Sequence, residues 1–248
     1  MDIININRYE RQIILPEIGE EGQLRLSSSK AAVIGAGGLG SPVLYSLASA
    51  GVGHIKIIDS DSVDITNLNR QFIHFENDVG REKSQSAKEK LERYNHDIKI
   101  ETVTVRLDGE NIREHLTGYD VVLSCVDNKK TRCLLNNACV MCNIPFIDGG
   151  IQGFEGYILT VIPGVTACYQ CIFPIKEQLQ NSGDVGVLGA ATGALGSMMA
   201  LETIKYIVGI PILSHFCYVD LLSWRITPIE VERNAECPVC GRCGCEKE

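Results

Sequence analysis

The stretch Lys30-Ala-Ala-Val-Ile-Gly-Ala-Gly-Gly-Leu-Gly-Ser41 constrains this chain more than any other. Residues 31–34 form an apolar run that reads as a buried parallel strand. Residues 35–40 read as a tight glycine turn, and Val43, Leu44, Leu47 and Ala48 then recur at helical spacing. Strand, turn and helix in that order make a cradle for phosphate: glycines allow close backbone approach, and the helix start offers unpaired N–H groups. A second strand over 54–59 closes on Asp59. That carboxylate falls about twenty residues past the glycines, where a ribose-binding acid belongs. Gly35, Gly37, Gly38, Gly40 and Asp59 are therefore candidate nucleotide contacts. Alone, the pattern leaves open whether the nucleotide is NAD, FAD or another.

Composition narrows the field. The chain has 248 residues, 45% of them hydrophobic, enough for one α/β domain with a full core. A formal charge of −8 argues against a broad nucleic-acid surface, which needs clustered Lys and Arg. No run is long and apolar enough to span a membrane. The first residues lack the basic flank and cleavage site of a signal peptide, so a cytoplasmic protein is expected. Eleven cysteines in a chain of this size, an odd number, fit a reducing compartment and a metal site better than a disulfide scaffold.

Read in order, the chain alternates strand and helix through residue 150. Strands are expected over 31–35, 54–59, 99–105, 120–124 and 145–149, with helices over 40–50, 80–95, 109–116 and 128–142. The expectation is an α/β, Rossmann-like doubly wound sheet whose parallel core carries helices on both faces. Beyond residue 150, the segments 154–162 and 215–230 read as longer antiparallel strands extending the sheet. Between them a glycine-rich loop over 181–189 leads into an apolar helix over 190–208. A single domain over 1–248 is expected, divided into an arm (1–27), a nucleotide-binding core (28–150) and a sheet extension with metal knuckles (151–248).

Two constellations carry chemistry. Cys168-Tyr-Gln-Cys171 and Cys237-Pro-Val-Cys240 are paired CxxC knuckles, and four thiolates suit tetrahedral Zn²⁺ with no open position, hence a structural site. The alternative is four free buried cysteines. Cys243 and Cys245 complicate the choice of ligands and read as spare thiols on a tail. The second set is Asp59 and Asp61, the segment Thr66-Asn67-Leu68-Asn69-Arg70-Gln71, then Lys83, then Asp127-Asn128. Cations and acids beside a phosphate cradle are what phosphoryl or nucleotidyl transfer needs, with an acid to hold Mg²⁺. The plainer readings are surface charge for Arg70 and Lys83, and a helix cap for Asp127.

Together these residues resemble the ThiF/MoeB/HesA family, bacterial relatives of ubiquitin-activating enzymes. The likeness runs from Arg8-Tyr-Glu-Arg11-Gln through 35–40, Asn67-Leu-Asn-Arg70-Gln71 and Cys125-Val-Asp127-Asn128 to both CxxC pairs. It implies a homodimer that binds ATP and Mg²⁺ and adenylates the C-terminal Gly-Gly of a small ubiquitin-like sulfur carrier. It implies Gly38 at the phosphates and Asp59 at the ribose. Asn67, Arg70 and Lys83 line the phosphates with Gln71 nearby, and Asp127 lies near Mg²⁺. Arg11 reaches from an exchanged arm into the other subunit's site. The solvated alternative for Arg8 and Arg11 is ordinary helix charge. The five histidines, His54, His74, His96, His115 and His215, are expected to be structural or on the surface.

One departure from that family stands out. Where many members carry a loop cysteine, alignment on the segment 186–189 brings Ser182 near the position, and 173–188 holds no cysteine. Covalent sulfur transfer through that loop is therefore not expected, and a separate sulfur donor is. Other readings are a dehydratase that adenylates a modified tRNA base, an NAD-dependent oxidoreductase and a non-catalytic zinc-stabilised binding protein.

Overall fold

A computed structural model describes residues 6–174, 186–212 and 216–241. Ser182, His215, Cys243 and Cys245 lie outside the described residues. The arm folds as two helices, α1 (Ile6–Ile13) and α2 (Gly19–Ser28). Strand β1 (Lys30–Ile34) follows, and after the glycine turn comes α3 (Gly40–Ala50). β2 (His54–Ile58), α4 (Lys83–Tyr94), β3 (Lys99–Val103), α5 (Ile112–Leu116) and β4 (Val121–Ser124) complete the first half. The second half holds α6 (Lys129–Met141), β5 (Phe146–Gln152), β6 (Glu155–Val161), α7 (Tyr169–Ile172), α8 (Gly189–Val208), β7 (Phe216–Asp220) and β8 (Arg225–Ile229).

Among the described residues the strands form one sheet in the order β3-β2-β1-β4-β5-β6-β7-β8. The first five are parallel, with Ala32 opposite Lys56 on one side and Val122 on the other. β6, β7 and β8 add antiparallel, as the sequence predicts. Strand alternation assigns the faces. Ala31, Val33, Ile55 and Ile57 pack with Leu44, Leu47, Leu195 and Met199 of α3 and α8. Ala32, Ile34, Val122 and Phe146 pack on the other face with Leu116, Leu135 and Tyr169 of α5, α6 and α7.

The segment 215–230 differs from its expected form as a single strand: β7 and β8 make a hairpin. Asp220 Oδ1 accepts from the amides of Leu222 and Ser223 at 2.9 and 3.1 Å, and Trp224 adopts φ +58. A side-chain-stabilised turn thus does the work usually left to glycine. The helix cap also differs from its plain reading. Asn128, not Asp127, caps α6, its Oδ1 accepting from the Thr131 amide at 2.9 Å. The arm packs on its own chain. Tyr9 is buried, and its hydroxyl accepts from Asn95 Nδ2 at 2.9 Å, which docks α1 on its own chain.

Candidate active site

The sheet order reverses direction of travel between β1 and β4, and a crevice opens there at the carboxyl ends of the strands. It holds a cavity of about 440 Å³. The glycine turn forms its floor. Gly35 has φ +98, and a Cβ there would lie 2.8 Å from the Cys125 carbonyl. A Cβ on Gly40 would lie 2.1 Å from the Gly35 carbonyl, so the turn tolerates no side chain at either end.

The turn is fixed through its backbone. Gly35 N–H donates to Ile58 O at 2.9 Å, and Gly37 O accepts from both the amide and the hydroxyl of Ser41, at 2.9 and 2.8 Å. Asp59 Oδ2 accepts from Ala36 N–H at 2.7 Å while its Oδ1 accepts from Asp61 N–H at 2.9 Å. Burial pushes this carboxyl above its ordinary value, against the pull of those two amides. Asp59 therefore ties β2 to the turn as well as facing the cavity.

Gly35, Gly37, Gly38, Asp59, Asp61, Arg70, Gln71, Lys83, Asp127 and Asn128 all lie on the cavity wall. Lys83 is buried at the start of α4, its Nζ 3.1 Å from Asp61 Oδ2. Arg70 is held by Thr66 O at 2.9 Å and Asn69 Oδ1 at 3.0 Å. Asp127 is exposed, and among the described residues its carboxylate takes no hydrogen bond or ion pair. Gly40, Thr66, Asn67, Leu68 and Asn69 stand off the wall and support it. Asp64 accepts from the amide and hydroxyl of Thr66 at 2.8 and 2.6 Å, and Asn67 Oδ1 accepts from Asp64 N–H at 3.2 Å. This reciprocal cap closes the 3₁₀ turn over 65–67 and aims Arg70. Arg11 is exposed on α1 and away from the cavity of its own chain.

Several contributors escape sequence reasoning. His74, expected to be structural or on the surface, is buried against the glycine turn, its Nε2 2.9 Å from Ala36 O. Thr192, at the start of α8, lies on the wall against Gly38. Arg132 lies on the wall as well and is almost wholly buried. Its Nη1 lies 2.8 Å from Asp148 Oδ2, and its Nη2 donates to Val126 O at 2.5 Å, one residue before Asp127.

On the same face as α6, the sulfurs of Cys168, Cys171, Cys237 and Cys240 all lie within 4.8 Å of one another. The separations Cys168–Cys237 at 3.6 Å, Cys171–Cys240 at 3.3 Å and Cys168–Cys171 at 3.9 Å bracket the ~3.8 Å expected for thiolates around tetrahedral zinc. The cluster could hold a metal ion. Asn136 of α6 supports it, accepting from Tyr169 N–H at 2.9 Å. No helix among the described residues is long and apolar enough to cross a membrane.

This fold recurs in solved structures. E. coli MccB with AMPCPP and SeMet MccA superposes with a TM-score of 0.85 at 26% identity, over 96% of this chain and 75% of that one. E. coli MccB with succinimide gives a TM-score of 0.86 at 24% identity, over 97% and 75%, a likeness of fold alone. The chain belongs to the ThiF family, whose family model matches residues 9–239.

Among curated relatives, the sulfur carrier protein adenylyltransferase of Thermus thermophilus is 38% identical over 95% of this chain and 91% of its own length. The SAMP-activating enzyme E1 of Haloferax volcanii is 38% identical over 98% and 92%. The adenylyltransferase and sulfurtransferase MOCS3 of Culex quinquefasciatus is 46% identical over 82% of this chain, which spans 47% of that protein.

Proposed function

We propose that this chain is an adenylyltransferase that uses ATP to activate the C-terminal Gly-Gly carboxylate of a small ubiquitin-like sulfur carrier protein. The product is an acyl-adenylate, pyrophosphate leaves, and the pathway is thiamine, molybdopterin or a related sulfur-transfer biosynthesis. One observation carries the reading: the glycine turn, Arg70, Lys83 and Asp127 converge on one cavity, in a chain 38% identical along 95% of its length to a sulfur carrier protein adenylyltransferase.

The chemistry asks little of proton transfer. A terminal carboxylate has a pKa of about 3.3–3.7 and is ionised at neutral pH, so no general base is needed. The obstacle is bringing that anion to the α-phosphorus of a polyanion. Arg70 and Lys83 lower the repulsion and stabilise charge as the bond to pyrophosphate breaks. Asp127, exposed and unpaired, would hold Mg²⁺, which supplies further charge neutralisation when bound. Asp59 is offered to the ribose, and Gly38 to the phosphates.

In this reading the protein is a cytoplasmic homodimer and a single adenylation domain over 1–248. Because α1 is docked on its own chain by Tyr9, Arg11 reaches the other subunit's site by presentation across the interface. Cys168, Cys171, Cys237 and Cys240 would hold structural zinc, tying the C-terminal segment to α7. A separate donor brings sulfur to the acyl-adenylate, since 173–188 offers no cysteine.

The test is ATP–pyrophosphate exchange with purified protein, with and without a carrier ending in Gly-Gly. Exchange that depends on the intact tail is expected. ATP binding without exchange on several carriers would move the assignment to the tRNA-modifying reading. Failure to bind ATP would return it to the oxidoreductase and binding-protein readings.

A further inference from the structure

We infer that His74 is a positioning residue for phosphate binding: as a neutral ring protonated on Nε2, it sets the orientation of the Ala36–Gly37 peptide, and Ser86 and Lys90 set its tautomer. The inference rests on the nucleotide reading of the cavity. His74 does not line that cavity, and its ring is buried between the glycine turn and α4.

The proton positions follow from the partners. His74 Nε2 lies 2.9 Å from Ala36 O. A carbonyl oxygen only accepts, so Nε2 carries the hydrogen. His74 Nδ1 lies 2.8 Å from Ser86 Oγ. In the neutral ring it is then an acceptor, and the Ser86 hydroxyl donates to it. Lys90 Nζ occupies one lone pair of the hydroxyl oxygen, which agrees with this direction, and Asp78 is a competing acceptor for the hydroxyl proton. An ammonium only donates, and it gives hydrogen bonds to Ser86 Oγ at 2.8 Å and to Ser86 O at 3.1 Å. Its charge is balanced by Asp78, which it also contacts, and its Nζ lies 4.9 Å from the centre of the Phe75 ring. The relay thus runs one way: Lys90 to Ser86, Ser86 to His74, His74 to Ala36 O.

The consequence lies in the next peptide bond. No cis peptide occurs among the described residues, and in a trans peptide C=O and N–H point in opposite directions. With Ala36 O held towards His74, Gly37 N–H is directed away from it, and Gly37 and Gly38 both wall the cavity. Ala36 N–H is already taken by Asp59. Both peptides flanking Ala36 are therefore fixed, one by a carboxylate and one by an imidazole. The N–H groups of Gly37, Gly38 and Leu39 make no hydrogen bond among the described residues. These three amides are left for an anion, those of Gly37 and Gly38 already oriented because Ala36 O is held by His74 and Gly37 O by Ser41. Such preorganised donors bind without the cost of turning a peptide as the ligand arrives.

Two measurements test this. The first is ¹⁵N-edited NMR of the His74 ring in ligand-free wild-type protein, where the Nε2–H tautomer is expected and Nδ1–H would overturn the inference. The second compares the affinities of adenosine, ADP and ATP for wild type, His74→Phe, His74→Gln and Ser86→Ala. His74→Phe should weaken ATP by about tenfold, the worth of one hydrogen bond, and leave adenosine unchanged. His74→Gln keeps an N–H within reach of Ala36 O and should restore most of that loss, and Ser86→Ala should fall between. An equal loss for all three ligands would mean a purely structural role and would overturn the inference while leaving adenylation intact. Wild-type protein that binds no ATP would overturn both readings, and that result needs no substitution to see.

Discussion

Arg132 and Asp148 form an ion pair inside the protein, Nη1 to Oδ2 at 2.8 Å, with side chains 8% and 0% exposed. Tyr157 completes it: its hydroxyl donates to Asp148 Oδ2 at 2.7 Å and accepts from Arg132 Nη1 at 2.6 Å. Burial alone would lower the Arg132 pKa, yet Asp148 and Tyr157 raise it, so the guanidinium stays charged. The pair joins two regions. Through Val126 O it holds the backbone beside Asp127, and through Tyr157, whose ring lies 5.2 Å from that of Phe173, it reaches the segment after the first CxxC knuckle.

Removing one partner strands the other charge. Arg132→Met is expected to destabilise the protein by about 3–5 kcal/mol. The double variant Arg132→Met, Asp148→Leu should recover much of that loss, because no unpaired charge remains. Urea unfolding of the three proteins measures this, and a double variant no better than the single one would refute it.

Arg70→Ala and Asp127→Ala are expected to fold normally and to lose adenylation. Asp127 is exposed and Arg70 half-buried, so each substitution should change stability by no more than ~0.5 kcal/mol. ATP–pyrophosphate exchange should fall by about 10²-fold or more, the usual scale for losing one transition-state contact. Near-normal exchange in both variants would remove these side chains from the reaction.

The four-cysteine cluster should contain metal, and Cys237→Ser should lose it. The cluster closes β6 and α7 onto the C-terminal segment. A loss of even ~3 kcal/mol would lower the melting temperature by about 6–12 °C in a chain of this size. Metal analysis and calorimetry on the same samples check the claim. An unchanged melting temperature after confirmed metal loss would show that the site is dispensable for stability.

The buried imidazole makes stability depend on pH. The His74 pKa falls from 6.5 to about 4, chiefly through burial; Lys90 and Lys83 add to the fall, while the Ala36 carbonyl and Asp78 oppose it. Between these values the unfolded chain binds a proton that the folded chain refuses, so stability is full above about pH 6.5 and declines as pH falls towards 4. The slope approaches about 1.4 kcal/mol per pH unit within that window. His74→Gln should lose this component, so the stability gap between wild type and variant should narrow from pH 7.5 to pH 5 in denaturant titrations. A constant gap would contradict the assignment.

The glycine turn offers a steric test. Gly40→Ala drives a Cβ to 2.1 Å from Gly35 O, whereas a Cβ at Gly109 meets nothing within 4 Å. Gly40→Ala should cost about 1–3 kcal/mol, as overpacking does, and Gly109→Ala close to nothing. Equal stabilities would show that the turn relaxes.

The sequence by itself determined the parts of this protein that are local. The 31–51 unit reads correctly because strand, turn and helix each declare themselves within a few residues, through apolar runs, glycines and helical spacing. The parallel core and its antiparallel extension follow from the change of pattern near residue 150. The two CxxC pairs read as ligands because two thiols at that spacing on one turn already form half a site. What the tertiary structure decided is convergence. Nothing in the spacing of Ala36, His74, Ser86 and Lys90 shows that a turn, a loop and a helix meet in one directed hydrogen-bond chain. Nor does a lone Arg132 on a helix reveal a buried partner on β5. The hairpin at Asp220–Trp224 was illegible for a related reason: a carboxylate supplies the turn where no glycine marks it. Apolar periodicity and glycine chemistry act over a few residues and leave a record in the sequence. A buried polar group is satisfied by whichever element the fold packs against it, and that partner exists only once the sheet has ordered its strands.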